Sequence, residues 1–206
     1  MCNGAGNLDF ISRMVPWPIV KSIHVLAVDS ALETQALRAA AEYWGAAVTV
    51  TWVGNATDVV DYCASHPIHD VIIIAGHGDE RGLLLPSLDE SIKGNYPFID
   101  VIRPNDFQTF LALEQNVVLS TACCGGNEKL AAVFLSCGAR CYIGAEGYPD
   151  DNDALMYALA FLFQFLVRGG GAEQAHQICA SASDDRSLFC FKAAGTSSLR
   201  AQGAEE

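Results

Sequence analysis

The stretch DVIIIAGHG, residues 70–78, decides the reading of the chain. Its short, unbroken run of Val and Ile is a strand buried on both faces, the kind found in parallel sheets. It ends on Gly76-His77-Gly78, so a histidine with a freely turning backbone on each side stands at its carboxyl end. The elements upstream alternate in type. IHVLA (23–27) reads as a strand, and Ser30-Ala31-Leu32-Glu33 as a capping box opening a helix that stops at Gly45. AVTVTWV (Ala47–Val53) is a second strand, followed by a helix over 57–65 that Asn55 caps and Pro67 ends.

Downstream, residues 76–104 break the alternation with Pro86, Gly94, Pro97 and Pro104, and carry only a short strand at 82–85. This is where a loop covering a substrate would lie. Regular order returns with a helix near 105–113, a strand at 117–121, a helix over 127–137 and a strand at Cys141–Ala145. A long apolar helix over 151–168 follows, then Gly169-Gly170-Gly171, a helix over 172–181 and a last strand at 188–192. Strands alternating with helices specify an α/β fold, a three-layer sandwich around a mostly parallel sheet. The domain is expected over residues 22–193, after an irregular segment 1–21 and before a flexible tail 194–206.

Composition narrows the function. The 206 residues carry 12 Lys plus Arg against 24 Asp plus Glu, a net charge of −12, which repels phosphate backbones and argues against nucleic-acid binding. Hydrophobic residues make up 51% and charged ones 17%, which supplies a core and excludes disorder. The most apolar run, 154–167, falls short of the ~20 residues a bilayer span needs, so no membrane association is expected. The start lacks the basic and apolar regions of a secretory signal. The eight cysteines are irregularly spaced and mostly within apolar runs, so reduced thiols and a cytoplasmic location are expected. No Cys/His set has metal-ligand spacing, and neither metal nor cofactor is expected.

In open α/β sheets, ligands bind outside the carboxyl ends of the strands. The third strand delivers His77 there, the fourth Ala122-Cys123-Cys124-Gly125-Gly126, and the fifth Glu146 with Asp150, Asp151 and Asp153 beyond. Cys123 ends a strand, two glycines beyond it allow close approach of a substrate, and the helix start near Asn127 is expected to favour its thiolate. His77 can act as general acid, and the Gly78 N–H can serve an oxyanion. Cys124 is a substitute nucleophile that strand alternation points the other way. Cys63, Cys137, Cys141 and Cys179 read as core residues, and His24, His66, His69 and His176 as structural.

VIIIAGHG (71–78) and VVLSTACCGG (117–126), an apolar strand ending in His-Gly followed by one ending in Ala-Cys, resemble the caspase-hemoglobinase superfamily of cysteine peptidases, clan CD. The block Leu119-Ser120-Thr121-Ala122-Cys123-Cys124-Gly125 resembles that of the CHAT peptidases, with Thr121 as an extra residue. Gly138-Ala139-Arg140-Cys141-Tyr142-Ile143-Gly144 matches their next stretch. The resemblance implies a caspase-hemoglobinase-like fold and hydrolysis of protein or peptide substrates through a thioester. Cys123 is then the nucleophile, His77 the proton donor, and the N–H groups of Gly78 and Cys123 the oxyanion site. It also implies a separate activator protein, because the helical repeats often fused to such domains are missing. The acidic loop suggests cleavage after Arg or Lys, with Asp150, Asp153 and Glu146 as substrate-binding residues. The alternative is a catalytically silent caspase-like domain acting as a protein-interaction module. A flavodoxin-like ligand domain is disfavoured, because Val28-Asp29-Ser30-Ala31 is no glycine-rich phosphate cradle.

Overall fold

The structure, a computed structural model, describes residues 21–194. Apart from Lys21 and Ala194, the segments expected over 1–21 and 194–206 lie outside the described residues. The first half holds β1 (Ser22–Val28), α1 (Ala31–Tyr43), β2 (Ala47–Val53), α2 (Ala56–Ala64) and β3 (Val71–Gly76). A small insertion follows with β4 (Gly78–Asp79), β5 (Gly82–Leu84), β6 (Val101–Ile102) and α3 (Pro104–Phe107). The second half holds β7 (Val117–Ser120), α4 (Glu128–Ser136), β8 (Cys141–Ala145), α5 (Asp151–Leu162), α6 (Ala172–Ala180), α7 (Asp184–Ser187) and β9 (Phe189–Ala193).

The main sheet runs β2-β1-β3-β7-β8-β9, parallel except for β9, which pairs antiparallel with β8. Because side chains alternate along a strand, the central strands feed two cores. Ile23, Val25, Ile73, Leu119 and Ile143 face the α1, α5 and α6 layer. Leu26, Ile72, Ile74, Val118 and Tyr142 face α2, α3 and α4. Helices on both faces are what the continuous apolar runs require, and the three-layer α/β expectation holds. Strands β4, β5 and β6 form a second, antiparallel sheet beside the main one. Among the described residues no helix is long and apolar enough to cross a membrane.

Three elements differ from the sequence reading. The helix expected near 105–113 is a single turn, α3, because the backbone then leaves the helix to bond elsewhere. The Ala112 N–H donates to the Cys63 carbonyl at 3.1 Å and the Leu113 N–H to the Cys137 carbonyl at 2.9 Å. The long helix expected over 151–168 is α-helical to Leu162 and widens into a π turn over Phe163–Val167. The Ser30 side chain does not cap α1; its hydroxyl donates to the Glu33 carboxylate instead.

A buried polar cluster ties β1 to the edge strand β2. His24 is 6% exposed, stacked on Tyr62 at 3.8 Å between ring centres. Its Nδ1 lies 2.7 Å from Thr49 Oγ1 and its Nε2 3.0 Å from Thr51 Oγ1. Burial, with His69 beside it, lowers the His24 pKa from 6.5 to about 4. The folded ring therefore stays neutral where the unfolded chain takes a proton. Its contribution is intact above pH 6.5 and is lost as pH falls from 6.5 to about 4, amounting to about 3 kcal/mol. Urea unfolding at pH 7 and pH 4 checks this. Wild type loses about 3 kcal/mol more than His24→Gln over that interval; equal losses would remove His24 as the cause.

Candidate active site

The site lies at the carboxyl ends of β1, β3 and β7, the middle of the parallel sheet. Gly76 closes β3 where a side chain has no room, since a Cβ there would meet the Val28 carbonyl oxygen at 2.6 Å. The chain then passes His77, which is exposed, into the β4–β5 hairpin. The Leu84 N–H donates to the His77 carbonyl at 3.0 Å. Gly78 and Leu83 face each other in the non-hydrogen-bonded register of that ladder, so the Gly78 N–H points away from β5.

Beyond β7, Thr121 keeps its place in the sheet. Its N–H donates to the Ile74 carbonyl at 3.0 Å, and its side chain is buried. The residue that looked like an insertion in the cysteine block is thus an extension of the ladder with β3. A tight turn follows, closed by Gly125 N–H to the Ala122 carbonyl and Asn127 N–H to the Cys124 carbonyl, both 3.0 Å. Cys124 sits in the left-handed region at φ 52° and donates its N–H to the Gly147 carbonyl at 2.7 Å. The Gly126 N–H reaches the Ala145 carbonyl at 2.7 Å, and the buried Tyr142 hydroxyl donates to the Gly125 carbonyl at 2.7 Å. These bonds hold Cys123 half-exposed and Cys124 buried, the opposite orientations that alternation implies.

The two glycines after the cysteines serve this turn and leave a substrate no approach of their own. A Cβ on Gly126 would stand 2.3 Å from the Gly144 carbonyl oxygen, and one on Gly125 would stand 2.6 Å from Ser120 Oγ. The close backbone approach they permit is to β8. Gly78 makes a similar approach to the cysteine turn itself, where an added Cβ would be 2.4 Å from the Cys123 carbonyl oxygen. The backbones carrying His77 and Cys123 are thereby in direct contact.

Cys123 and His77 line one cleft of about 380 Å³, together with Ser30 and Glu33 at the start of α1, Thr121, and Asp151 at the start of α5. The expectation of an activated thiolate does not hold. Burial first, then the Asp151 carboxylate and Cys124, push the Cys123 pKa up. These outweigh any pull from α4, whose first turn begins only at Glu128. The resting group is a thiol. On the other side of the cysteine turn, the Tyr148 phenol bonds the Glu80 carboxylate, which lowers the Glu80 pKa and raises that of Tyr148, and it also reaches Cys124.

The three carboxylates expected to bind substrate are each engaged elsewhere. Asp150 is the N-cap of α5, accepting from the Asn152 N–H at 2.9 Å. Asp153 accepts from Arg186 Nε and Ser183 Oγ, both at 3.0 Å. Glu146 lies 3.8 Å from Lys192 Nζ. None of the three lines the cleft, whereas Glu33 and Asp151 do. The sequence reading put Glu33 in a capping box and Asp151 beyond the fifth strand, and named neither as a substrate-binding residue. The signal that finds Glu33 is topological, because β1 is a central strand and its carboxyl end lies on the same edge as those of β3 and β7.

No protein-family model matches the sequence, and no curated protein does. Among solved structures, the chain is similar to the Arg-specific cysteine proteinase gingipain R, with 8% identity, a TM-score of 0.55 and 81% of this chain covered. The match takes in 44% of the gingipain chain, so this protein spans less than half of its length. A secreted C11 cysteine protease from Bacteroides thetaiotaomicron also aligns, over 70% of this chain and 54% of its own, with 16% identity and a TM-score of 0.43. The first likeness shows the fold alone, α/β with a mostly parallel central sheet.

Proposed function

We propose that the chain is a cysteine endopeptidase working through Cys123 and His77. The observation that carries this is their meeting in one cleft at the carboxyl ends of adjacent strands, with the Gly78 backbone packed on the Cys123 carbonyl. The Cys123 sulfur attacks the scissile carbonyl, and the new C–S bond forms as the thiol proton leaves. The leaving amine gains a proton as its C–N bond breaks, and His77, in the same cleft, carries it. Water then hydrolyses the thioester. The Gly78 N–H, turned away from β5, and the Cys123 N–H are the donors we assign to the oxyanion. Because the thiol is held protonated, attack depends on the substrate being in place rather than on a standing thiolate–imidazolium pair. The block 119–125 supports the CHAT branch of the superfamily. The seven described cysteines are all free, which supports a reducing compartment such as the cytoplasm.

Brief iodoacetamide treatment at neutral pH, read by mass spectrometry alongside a peptide library, tests the reading. Cys123, half-exposed in the cleft, is modified ahead of Cys63, which burial holds up at about 12, and of Cys141 and Cys190, held at about 11. Library peptides are cut, with loss of cutting on Cys123 modification. Preferential labelling of Cys124, or no cut peptide, would overturn it.

A further inference from the structure

We infer that Tyr142 is a positioning residue, whose hydroxyl holds the cysteine turn in a strained backbone conformation that keeps Cys123 in the cleft. The inference rests on Cys123 being the nucleophile. The turn runs from Ala122 to Gly125 and is closed by the Gly125 N–H on the Ala122 carbonyl. Its third residue, Cys124, is left-handed at φ 52°, while Cys123 is not, so the turn is type II. Such a turn asks for glycine at its third position, where a side chain crowds the backbone. A cysteine stands there instead, so the conformation must be held by its surroundings.

Backbone bonds supply part of the hold, from the Cys124 N–H to the Gly147 carbonyl and from the Gly126 N–H to the Ala145 carbonyl. The Cys190 thiol reaches the Gly126 carbonyl at 3.5 Å, a weak tie because a thiol is a poor donor. The strong side-chain tie is the Tyr142 hydroxyl, which donates to the Gly125 carbonyl at 2.7 Å. Tyr142 is fully buried in β8, and the Ser120 hydroxyl on the neighbouring strand β7 bonds the same phenol. Burial pushes the Tyr142 pKa up, so the phenol keeps its proton and stays a donor. Packing does not replace this bond. A small cavity lies beside the turn, lined by Ile74, Leu83, Leu130 and Tyr142 together with Cys123 and Gly125. Atoms facing that space lack a contact across it, so the turn is free to relax into it once the bond is gone. Cys123 then leaves its place in the cleft with His77, while the sheet that carries it stays intact.

Hydrogen exchange of single amides, read by NMR on the full chain, tests this without turnover. Tyr142→Phe keeps the ring in the core and removes the hydroxyl. In that variant the Gly126 amide exchanges about five- to tenfold faster, the effect of one lost hydrogen bond on a local opening. The Thr121 amide, bonded to Ile74 immediately before the turn, keeps its wild-type rate. Cys124→Gly relieves the left-handed strain, so alone it slows Gly126 exchange. Added to Tyr142→Phe, it brings Gly126 back to within about twofold of wild type. On a cleaved library peptide, kcat is down about five- to tenfold in Tyr142→Phe and recovers in the double variant, with KM unchanged. Unchanged Gly126 exchange in Tyr142→Phe, equal acceleration at Thr121, or no recovery on adding Cys124→Gly overturns the inference. So does a kcat that fails to follow the exchange. Those results leave cleavage through Cys123 standing. If exchange responds as stated and wild type cleaves no peptide, the peptidase reading falls and Tyr142 keeps its hold on the turn.

Discussion

Cys123→Ala is expected to reduce peptide cleavage by about a thousandfold or more, to the background left by binding alone. His77→Ala falls to a similar level, and the double variant falls no further, because the two groups act on one bond-making sequence and neither works without the other. Stability hardly changes in Cys123→Ala, since the side chain is half-exposed and the turn is held by backbone bonds and Tyr142. Cys124→Ala keeps its activity within about tenfold, because the N–H bond to Gly147 and the left-handed backbone do not need the sulfur. The measurements are kcat/KM on a cleaved library peptide and the urea midpoint of each variant. Loss of activity in Cys124→Ala with retention in Cys123→Ala would move the nucleophile by one residue.

Gly78→Ala is expected to be as severe by another route. The new Cβ would lie 2.4 Å from the Cys123 carbonyl oxygen, with Ala122 Cβ at 3.2 Å and the Gly82 carbonyl oxygen at 3.3 Å. The nearest obstacle is backbone, so the His77 segment must move away from the cysteine turn by about 1 Å to reach ordinary contact. A displacement of about that size between reacting groups costs about 100-fold in kcat, and the overpacking costs about 1–3 kcal/mol of stability. Gly45→Ala is the control. Its φ of 88° carries strain, but nothing lies within 4 Å of the added atom and it is not among the cleft residues. That variant loses about 1 kcal/mol and keeps its kcat. Similar kcat losses in both variants would mean that the effect at Gly78 is general destabilisation.

The alternation of strands and helices was legible in the sequence because it is written in local periodicity. Ala47–Val53 and Cys141–Ala145 come out with the bounds read from the sequence, and the buried run ending at His77 occupies the sheet centre. The strand-end rule also placed His77 and Cys123 on one edge, since parallel strands point their carboxyl ends the same way. Everything that depends on through-space neighbours waited for the fold. The antiparallel turn of β9, the small β4–β5–β6 sheet and the early end of α3 are set by which carbonyls the backbone meets, and those lie far along the chain. The direction of the Cys123 pKa shift followed burial and Asp151, while sequence proximity to a helix start suggested the opposite. Glu33 and Asp151 line the cleft, and Asp150 and Asp153 do not, because side chains a residue or two apart on a helix point different ways; only packing decides which one meets the cleft and which meets Arg186.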